Sequence, residues 1–579
     1  MSVNNLKNKD SQRAYLPVAF GLQAASGVPS HSKVVGVAPN HQITAYNPLG
    51  VGEWHRCLGA FYQGEEIAAA NYHFHPGALA TAMNSGAQQV DSFFPKDIPH
   101  SGTAAIGYEI PQGLGNPDIA ANPPDKFKGI FETKKSWDFN SAGVLSNFSY
   151  SPNPARCILE AILSYGRLPN LPPSVWSNHV NYWLSRIDFG SLAEFRDFHA
   201  QTELVDYRAI PDFDGFGLTA EYFSGTNFQQ FVSKFVHANF DINYGSQPPA
   251  ANVEAGNFSG KFYGYIKFPA TETFTITVTV DNGTRFWLAN VLKIDQWTDD
   301  GQHPIGSYTT TFDATANQFV PVLAHWNDGG GIGNFKIEWY SDSLDKQVIP
   351  SKYLYPKEEQ QPLYESHIYI KKPTSLAATI REILFVSNSI QQDVNGKLRF
   401  VCLEQLTPSF TLDVSNIDDF KFRRRDILRR DPFTEYEASF KDLDSQYLEE
   451  PASSVSVKVD TFARKTFENV KVINLYNTTR WRARKLLKAK GALELGNDLI
   501  AEATTKMAKT YPITAGDLIT VTHRKIGAES RNYLVKQTVD SGVEESNEIQ
   551  SETIENRKLT LQEWGNQIPD GSDGGDGKE

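Results

Sequence analysis

A strictly alternating run of residues constrains the fold of this chain more than any other feature. In TETFTITVTV apolar side chains recur at every second position, and NFKIEWY repeats the pattern. The apolar positions are Phe274, Ile276, Val278, Val280, Phe335, Ile337 and Trp339. Such alternation buries one face of a strand and exposes the other, which is typical of a β-sandwich. The first run ends in Asp281-Asn282-Gly283, which is either a tight polar turn or a loop that holds a ligand.

The length of the chain predicts further domains around this sandwich. At 579 residues it exceeds what one hydrophobic core supports, so about three or four domains are expected. Changes of pattern give a β-rich region at 1–150, a helical segment at 151–213, the sandwich at 214–356, a mixed region at 357–566 and a tail at 567–579. The tail is rich in Gly and Asp, which predicts disorder. The predicted fold class is therefore mainly β (α+β), with a small helical patch and an inserted sandwich.

The helical segment contains clear start and stop signals. In NPARCILEAILSYG, Asn153 is typical of an N-cap, Pro154 of the first helical position and Gly166 of a helix end. SVWSNHVNYWLSR and LAEFRDFHAQTEL predict two further helices, because apolar residues recur on one face of each.

The mixed region contains a hairpin and a basic helix. Within ILFVSNSIQQDVNGKLRFVCLE, Asn395-Gly396 predicts the turn of a hairpin. NTTRWRARKLLKAKG predicts a helix that is capped by Thr478 or Thr479 and ends at Gly491. Its basic residues predict a solvated or subunit-facing surface. ITAGDLITVTHRKIGAESRNYLVKQ predicts two strands around a loop.

Composition argues against several classes of function. The 55 Lys and Arg against 67 Asp and Glu give a net charge of −12, which is unfavourable for a protein that grips nucleic acid. The run FKFRRRDILRRDPF is interleaved with acids, so Arg423 to Arg425 are expected to face protein partners rather than DNA. We expect no membrane span, because no segment approaches 18 consecutive apolar residues. MSVNNLKNKDSQRAYLP has no apolar signal core, so classical secretion is not expected.

No enzyme motif stands out in the sequence. Cys57, Cys157 and Cys402 lie too far apart for a zinc motif or a disulfide framework, and free thiols are expected. His73 and His75 share one strand face and offer only half of a metal site. The glycines of NDGGGIGNF resemble a phosphate-binding loop only superficially, since no helix is expected to follow them. A long loop of the sandwich is the favoured interpretation.

The stretch from 214 to 356 resembles the carbohydrate-binding domain named after anthrax protective antigen, which yeast adhesins and glycosidases also carry. GFGLTAEYFSGTNF is similar to the first strand of that family, and GKFYGYIKFPATETFTITVTVDNGTRFWLANVLKIDQW to its central pattern. HWNDGGGIGNFKIEW and IPSKYLYP resemble its closing segments. As an insertion, the domain is expected to have its chain ends close together.

In lectin members of that family, two adjacent aspartates bind calcium, which then coordinates sugar hydroxyls. Here the matching pair is Asp281-Asn282, and the Asn282 amide oxygen can still ligate calcium, a cation that accepts carbonyl oxygens. The resemblance implies a calcium site of Asp281, Asn282 and Asn327, and a sugar site that adds Trp297 and Asp328. The alternative is a polar turn in which Asp281 caps its own backbone.

The flanks resemble the hub proteins at the tail tip of long-tailed bacteriophages. The resemblance is carried by REILFVSNSIQQDVNGKLRFVCLE, DDFKFRRRDILRRDPFTEYEASFKDLDSQYLEEPASSVSV and INLYNTTRWRARKLLKAKGALELGNDLIAEATTKMAKTYPITAGDLITVTHRK, in that order. FHPGALATAMNSGAQQVDSFFPKDIPHSGTAAIGYEIP near the start is similar to the same family. The resemblance implies tail-tube-like β-barrel domains in a homotrimeric ring. The implied partners are distal tail, tail-tube, central fibre or spike, and tape-measure proteins, with DNA only in transit.

The resulting prediction is a structural protein of the virion tail tip, not an enzyme, whose outward sandwich binds host glycans. A bacterial surface adhesin or carbohydrate-binding protein is the alternative, which a secretory signal would favour. A glycan-degrading enzyme would need paired carboxylates in a cleft, and no glycosidase pattern is recognisable.

Overall fold

The structure is a computed structural model. It describes residues 18–20, 22–25, 31–35, 42–51, 54–62, 65–67, 71–76, 103–110, 127–164, 173–210, 213–245, 249, 253–298, 305–331, 333–370, 375–424, 435–444, 453–458, 470–495, 499–506, 510, 513–523, 530–542 and 554–563. The predicted helix end at Gly166, the tail at 567–579 and the side chains of Arg423 to Arg425 lie outside the described residues.

The N-terminal region consists of strands in antiparallel sheets. Its described strands are β1 (Val18–Ala19), β2 (Leu22–Ala25), β3 (His31–Val35), β4 (Gln42–Val51), β5 (Trp54–Tyr62), β6 (Glu65–Glu66), β7 (Tyr72–His75), β8 (Thr103–Ile110), β9 (Phe127–Phe139) and β10 (Leu145–Tyr150). One sheet has the order β10-β9-β5-β6, with β2 also on β9, and another has the order β3-β4-β8-β7. Their shared core contains Trp54, Phe127 and Phe131.

Three helices follow, namely α1 (Pro154–Ser164), α2 (Pro173–Arg186) and α3 (Phe189–His199). The Asn153 side chain accepts a hydrogen bond from the Ala155 amide at 3.0 Å, as predicted for an N-cap. The helices pack into one core with residues from both ends of the chain, such as Phe20, Tyr364 and Ile383. The regions before and after the sandwich therefore form one body.

The sandwich and its attachment contain β11 to β25. These strands are β11 (Thr202–Val205), β12 (Leu218–Ser224), β13 (Gln230–His237), β14 (Asp241–Gly245), β15 (Phe258–Lys267), β16 (Thr273–Val280), β17 (Gly283–Leu288), β18 (Val291–Gln296), β19 (Gly306–Asp313), β20 (Phe319–Asp328), β21 (Gly333–Tyr340), β22 (Gln347–Val348), β23 (Leu354–Pro356), β24 (Glu359–Pro362) and β25 (Tyr369–Ile370). One sheet has the order β13-β12-β15-β20-β17-β18, with β23 also on β15, and the other has the order β14-β21-β16-β19, with β22 on β21.

The alternating runs form the core of the sandwich, as predicted. Phe274, Ile276, Val278 and Val280 on β16 are fully buried, and the alternating apolar residues of β21 are buried opposite them. Both sets belong to one hydrophobic cluster that is distinct from the core of the body. The period-two pattern thus records two facing sheets that exclude water between them.

The chain enters and leaves the sandwich at one end. The Gly215 amide donates to the Lys352 carbonyl oxygen at 2.9 Å, and the Gly217 amide donates to the Leu354 carbonyl oxygen at 3.0 Å. From there β12 runs to Ser224, about 20 Å away at about 3.3 Å per residue. The opposite end of the sheet is therefore far from the attachment.

The C-terminal region combines two helices with further sheets. Its elements are α4 (Leu376–Val386), β26 (Ser389–Val394), β27 (Lys397–Cys402), β28 (Phe410–Leu412), β29 (Ile417–Arg424), β30 (Glu435–Phe440), β31 (Ser453–Lys458), β32 (Val470–Asn474), α5 (Arg480–Leu495), β33 (Leu499–Lys506), β34 (Leu518–Thr522), β35 (Ser530–Gly542) and β36 (Ile554–Glu563). A six-stranded sheet has the order β28-β34-β35-β36-β33-β29, and a three-stranded sheet has the order β31-β30-β32. The prediction of a mainly β fold is confirmed. The described sheets are open paths, so the tail-tube-like barrel is not seen within this single chain.

Two predicted boundaries in this region were wrong. The hairpin turns at Asn395-Gly396 as expected, but ILFV belongs to α4 rather than to the first strand. Thr479 caps α5, since its hydroxyl accepts from the Arg482 amide at 3.3 Å, yet the helix continues past Gly491 to Leu495. One glycine costs a helix only about 1 kcal/mol relative to alanine, and helix-forming residues follow it.

The basic residues of α5 were predicted to face solvent or another subunit, and for three of them this was wrong. Arg480 Nε lies 2.7 Å from Asp442 Oδ2, and Arg482 Nη1 lies 2.5 Å from Glu365 Oε2. Lys485 lies 3.4 Å from two further carboxylates. The N-terminal half of α5 therefore joins parts of the body through ion pairs.

Other features agree with the absence of a recognisable enzyme motif. Cys57, Cys157 and Cys402 are free thiols. Within the described residues no group of three or more His, Cys, Asp or Glu side chains is placed to hold a metal, so His73 and His75 on β7 gain no third ligand of these types. No described helix is long and apolar enough to cross a membrane.

Candidate functional site

Four segments meet at the end of the sandwich that is far from its attachment. They are the β16–β17 turn, the β20–β21 loop, the β12–β13 loop and the residues that follow β18. Strand register brings them together, because Gly283 and Ser259 pair with Asn327 from opposite sides. This cluster is termed the loop end.

The β16–β17 turn places Asn282 in the left-handed backbone region. Its φ is 74°, which asparagine tolerates better than most residues. The side chain is buried, and its Nδ2 donates to Asp328 Oδ1 at 2.9 Å and to the Gly330 carbonyl oxygen at 3.3 Å. The turn is thus fixed to the β20–β21 loop by the side chain of Asn282.

Asp328 is a buried acid without a basic partner. It is 2% exposed, and its Oδ1 accepts from the Gly330 amide at 2.8 Å. Burial raises the pKa of this carboxyl, and the negative charge of Asp281 raises that pKa further. Neither acid forms an ion pair with any residue that the structure describes. The arrangement therefore concentrates negative charge that a bound cation would neutralise.

The glycine-rich loop wraps around these two acids. Gly330 and Gly331 have φ values of 126° and 109°, which other residues rarely adopt. A Cβ at Gly331 would lie 3.7 Å from Asp281 Oδ2, and one at position 333 would lie 2.8 Å from Asp328 Oδ2. The loop joins β20 to β21 and is not followed by a helix, as expected for a sandwich loop. Its glycines let the backbone approach both carboxylates.

Asn327 ties three of the four segments together. Its Oδ1 accepts from the Gly283 amide at 2.9 Å, and its Nδ2 donates to the carbonyl oxygens of Thr226 at 3.0 Å and Thr298 at 2.6 Å. The residue is completely buried. Each of these contacts satisfies a backbone group in a turn, so Asn327 fixes the relative positions of the loops.

The aromatic residues near the loop end differ in their environments. Trp326 is fully buried, stacks on Phe335 and donates from Nε1 to the Asp281 carbonyl oxygen at 3.1 Å. Trp297 instead stacks on Phe228 with 5.2 Å between ring centroids and an interplanar angle of 13°. Phe228 was not singled out from the sequence, where only its place in a Gly- and Asn-containing loop marks it.

The donor set suits calcium better than a transition metal. Asp281, Asp328 and Asn282 offer carboxylate and amide oxygens, and the loop adds backbone carbonyl groups, which are the ligands calcium takes. Asn327 was predicted as a metal ligand, but both atoms of its amide hold backbone groups. The geometry favours Asp328 in its place, while Asp281 and Asn282 stay predicted ligands.

Comparison with known families identifies the sandwich. Residues 216–353 match the PA14 domain family, within the range that resembled the protective-antigen domain. The chain therefore contains a PA14 domain, and the match does not extend to the flanks.

Similar proteins share mainly this segment. Anti-sigma-I factor RsgI3 of Acetivibrio thermocellus is 27% identical over 153 residues, which is 26% of this chain and 22% of the relative. An anti-sigma factor domain-containing protein of known structure is 25% identical over 25% of this chain and 50% of its own length, with a TM-score of 0.24. A structure described as the virion of a native gene transfer agent particle aligns over 95% of this chain and 84% of its own length, with 9% identity and a TM-score of 0.44. These likenesses assign no function to the whole chain.

Proposed function

We propose that the PA14 domain binds a host glycan through calcium held at the loop end. The observation that carries this proposal is the pair of Asp281 and Asp328, two neighbouring carboxylates with no basic partner in the described residues. Calcium would neutralise both acids, and its remaining coordination positions would accept vicinal sugar hydroxyls. The role of both acids is that of ligands, so the proposal is binding without catalysis.

The position of the loop end supports this function. The sandwich is attached to the body at its other end, where Arg208 lies 3.6 Å from the ring centroid of Tyr265 and the Tyr265 hydroxyl donates to Glu358 at 3.0 Å. A site at the far end of the sandwich is presented away from the body. This is the arrangement expected of a domain that contacts a surface outside the assembly.

For the whole chain we propose a structural role at the tail tip of a phage-like virion. The flanking sequences resemble tail-tip hub proteins, and the flanks form one body from which the sandwich projects as an insertion. In this role the body forms a homotrimeric ring that caps the tail tube. Its partners are distal tail, tail-tube, tape-measure and central fibre or spike proteins, and DNA only passes through.

A calcium-dependent glycan array tests the binding function. The full-length chain is applied to the array with millimolar calcium and with a chelator, beside Asp281→Ala. We expect glycan binding that needs calcium and is lost in the variant. Asp241→Ala is the matched control, because that acid is half-exposed on the other sheet and forms only a surface ion pair with Lys336. Binding that is indifferent to calcium and to Asp281 contradicts the proposed site.

The virion role is tested separately. Antibodies against the chain are used to label purified phage-like particles, and the mass of the assembled protein is measured by light scattering. We expect label at the tail tip and a mass of three chains, because heterologous interfaces that close make rings. Label on the bacterial surface would favour the adhesin alternative, and a strict monomer on intact tails contradicts the ring.

A further inference from the structure

A row of basic residues crosses three neighbouring strands on the outer face of the sandwich. His325 on β20 pairs with Lys261 on β15 and with Arg285 on β17. Phe262 and Ala324, the neighbours of two of these residues, face the core, so the row faces outward. Strands lie about 4.8 Å apart, which places Lys261 and Arg285 about 10 Å apart with His325 between them. The three residues are termed the basic row.

Two stacked aromatic rings adjoin the basic row. Lys261 Nζ lies 4.6 Å from the centroid of Phe228, and the Arg285 guanidinium lies 5.3 Å from the centroid of Trp297. Phe228 has a φ of 56°, a strained value for this residue, and is held there because its amide donates to Ser259 Oγ at 2.8 Å. Strain of this kind is concentrated at functional sites. The four side chains form one ordered stack of rings and cations.

Neighbouring acids do not fully neutralise the row. Glu221 lies opposite Lys261 on β12, but its carboxylate accepts the Tyr263 hydroxyl at 2.7 Å. Lys261 forms no ion pair with any residue in the described part of the chain. Arg285 Nε lies 3.0 Å from Asp295 Oδ1, and this acid is half-exposed. The centre of the row therefore retains positive charge toward solvent.

The central histidine reports that charge. Burial lowers the pKa of His325 to about 4, and the positive charges of Lys261 and Arg285 contribute to the same shift. Basic residues in register on adjacent strands destabilise a sheet. A bound anion would offset this cost, as expected where a local rule of stability is broken at a functional site.

We propose that the basic row and the Phe228–Trp297 stack bind the carboxylate-bearing sugar residues of an acidic glycan. The flat rings provide an apolar surface for a sugar face, and Lys261 and Arg285 donate charge-assisted hydrogen bonds to the carboxylate. The inference rests on the proposed glycan-binding function and specifies its ligand class. The row lies two residues, or about 7 Å, along each strand from the Asn327 row, so one glycan reaches both sites.

The test compares matched acidic and neutral glycans. Oligosaccharides that contain glucuronate, mannuronate or sialate, and the same compounds with carboxylates reduced to alcohols, are titrated into the full-length chain in calcium. We expect about tenfold tighter binding of the acidic member of a pair, since a hydrogen bond to a charged group contributes more than a neutral one. This preference is expected to shrink with salt.

Variants assign the preference to the row. Lys261→Met keeps the apolar stem over Phe228 and is expected to abolish the preference, whereas Lys261→Arg keeps it. Lys346→Met, at a half-exposed ion pair with Glu338 on the other sheet, is the control and is expected to change nothing. Equal binding of both members of every pair, or a preference that survives Lys261→Met, overturns the inference. Calcium-dependent binding of neutral glycans alone overturns it and leaves the proposed function standing, while no binding of any glycan overturns both.

Discussion

Replacing Asn327 with alanine is expected to loosen the loop end without disrupting the rest of the sandwich. The substitution removes the acceptor for the Gly283 amide and the donors to Thr226 and Thr298. Because the side chain is completely buried, the three backbone groups lose partners in a place that water reaches poorly.

The size of the effect follows from these three bonds. Each is worth about 1 kcal/mol net, so their joint loss costs about 3 kcal/mol of the local free energy of unfolding. Since about 1.4 kcal/mol corresponds to a factor of ten, amide hydrogens protected by this structure are expected to exchange about 100-fold faster. The faster exchange should be greatest at the Gly283 amide and in the adjoining parts of β17 and β20.

Hydrogen exchange of the full-length chain, read out by mass spectrometry of peptides, measures this change. Asn239→Ala is the matched control, because that exposed residue makes a single side-chain contact, accepting from the Asp241 amide at 3.1 Å. The control is expected to alter stability by no more than about 0.5 kcal/mol. Equal exchange in the two variants would show that Asn327 does not hold the loops, and the account of the loop end would be wrong.

Three further predictions concern buried ionisable groups. The pKa of Asp328 is raised by burial, so its ionisation costs the fold stability as pH rises through that pKa; Asp328→Asn should preserve calcium-free thermal stability and remove the calcium-dependent rise in melting temperature. Burial opposes ionisation of Glu365, but Arg482 and His367 hold its pKa at about 2, so its stabilisation is present above about pH 4.5 and lost towards pH 2. Arg482→Met should cost about 3–5 kcal/mol in urea unfolding and move acid unfolding to higher pH. Burial lowers the pKa of His367, whose Nδ1 accepts from the Leu22 amide at 2.8 Å; acidification below about pH 6.5 should therefore speed Leu22 exchange relative to its intrinsic rate, and His367→Asn should remove this dependence.

Local pattern predicted the parts of the fold that depend on neighbours in sequence. The buried face of β16 follows from alternation alone, and the hairpin at Asn395-Gly396 follows from the left-handed backbone that both residues adopt there. The predicted end of α5 at Gly491 was wrong because the cost of one glycine is smaller than the gain from continuing the helix.

Contacts across long sequence distances were beyond such reasoning. Asn327 was recognised as a site residue, but its bond to Thr226 spans 101 positions, and nothing in either segment marks that pairing. The basic residues of α5 were expected to face outward for the same reason. Glu365, which binds Arg482, belongs to a different region of the chain, so the ion pair exists only once the body has folded.

The boundary between body and sandwich explains how one chain carries two independent functions. Leu354 lies in the core of the sandwich, while the next residue, Tyr355, lies in the core of the body. The backbone bonds of Gly215 and Gly217 to residues 352 and 354 bring the two crossings together, so the body experiences the whole domain as one closed loop. Because the cost of closing a loop grows only slowly with its length, an inserted domain that folds on itself adds little strain to its host. The loops at the far end can therefore change their ligand without repacking the core that joins the two ends of the chain.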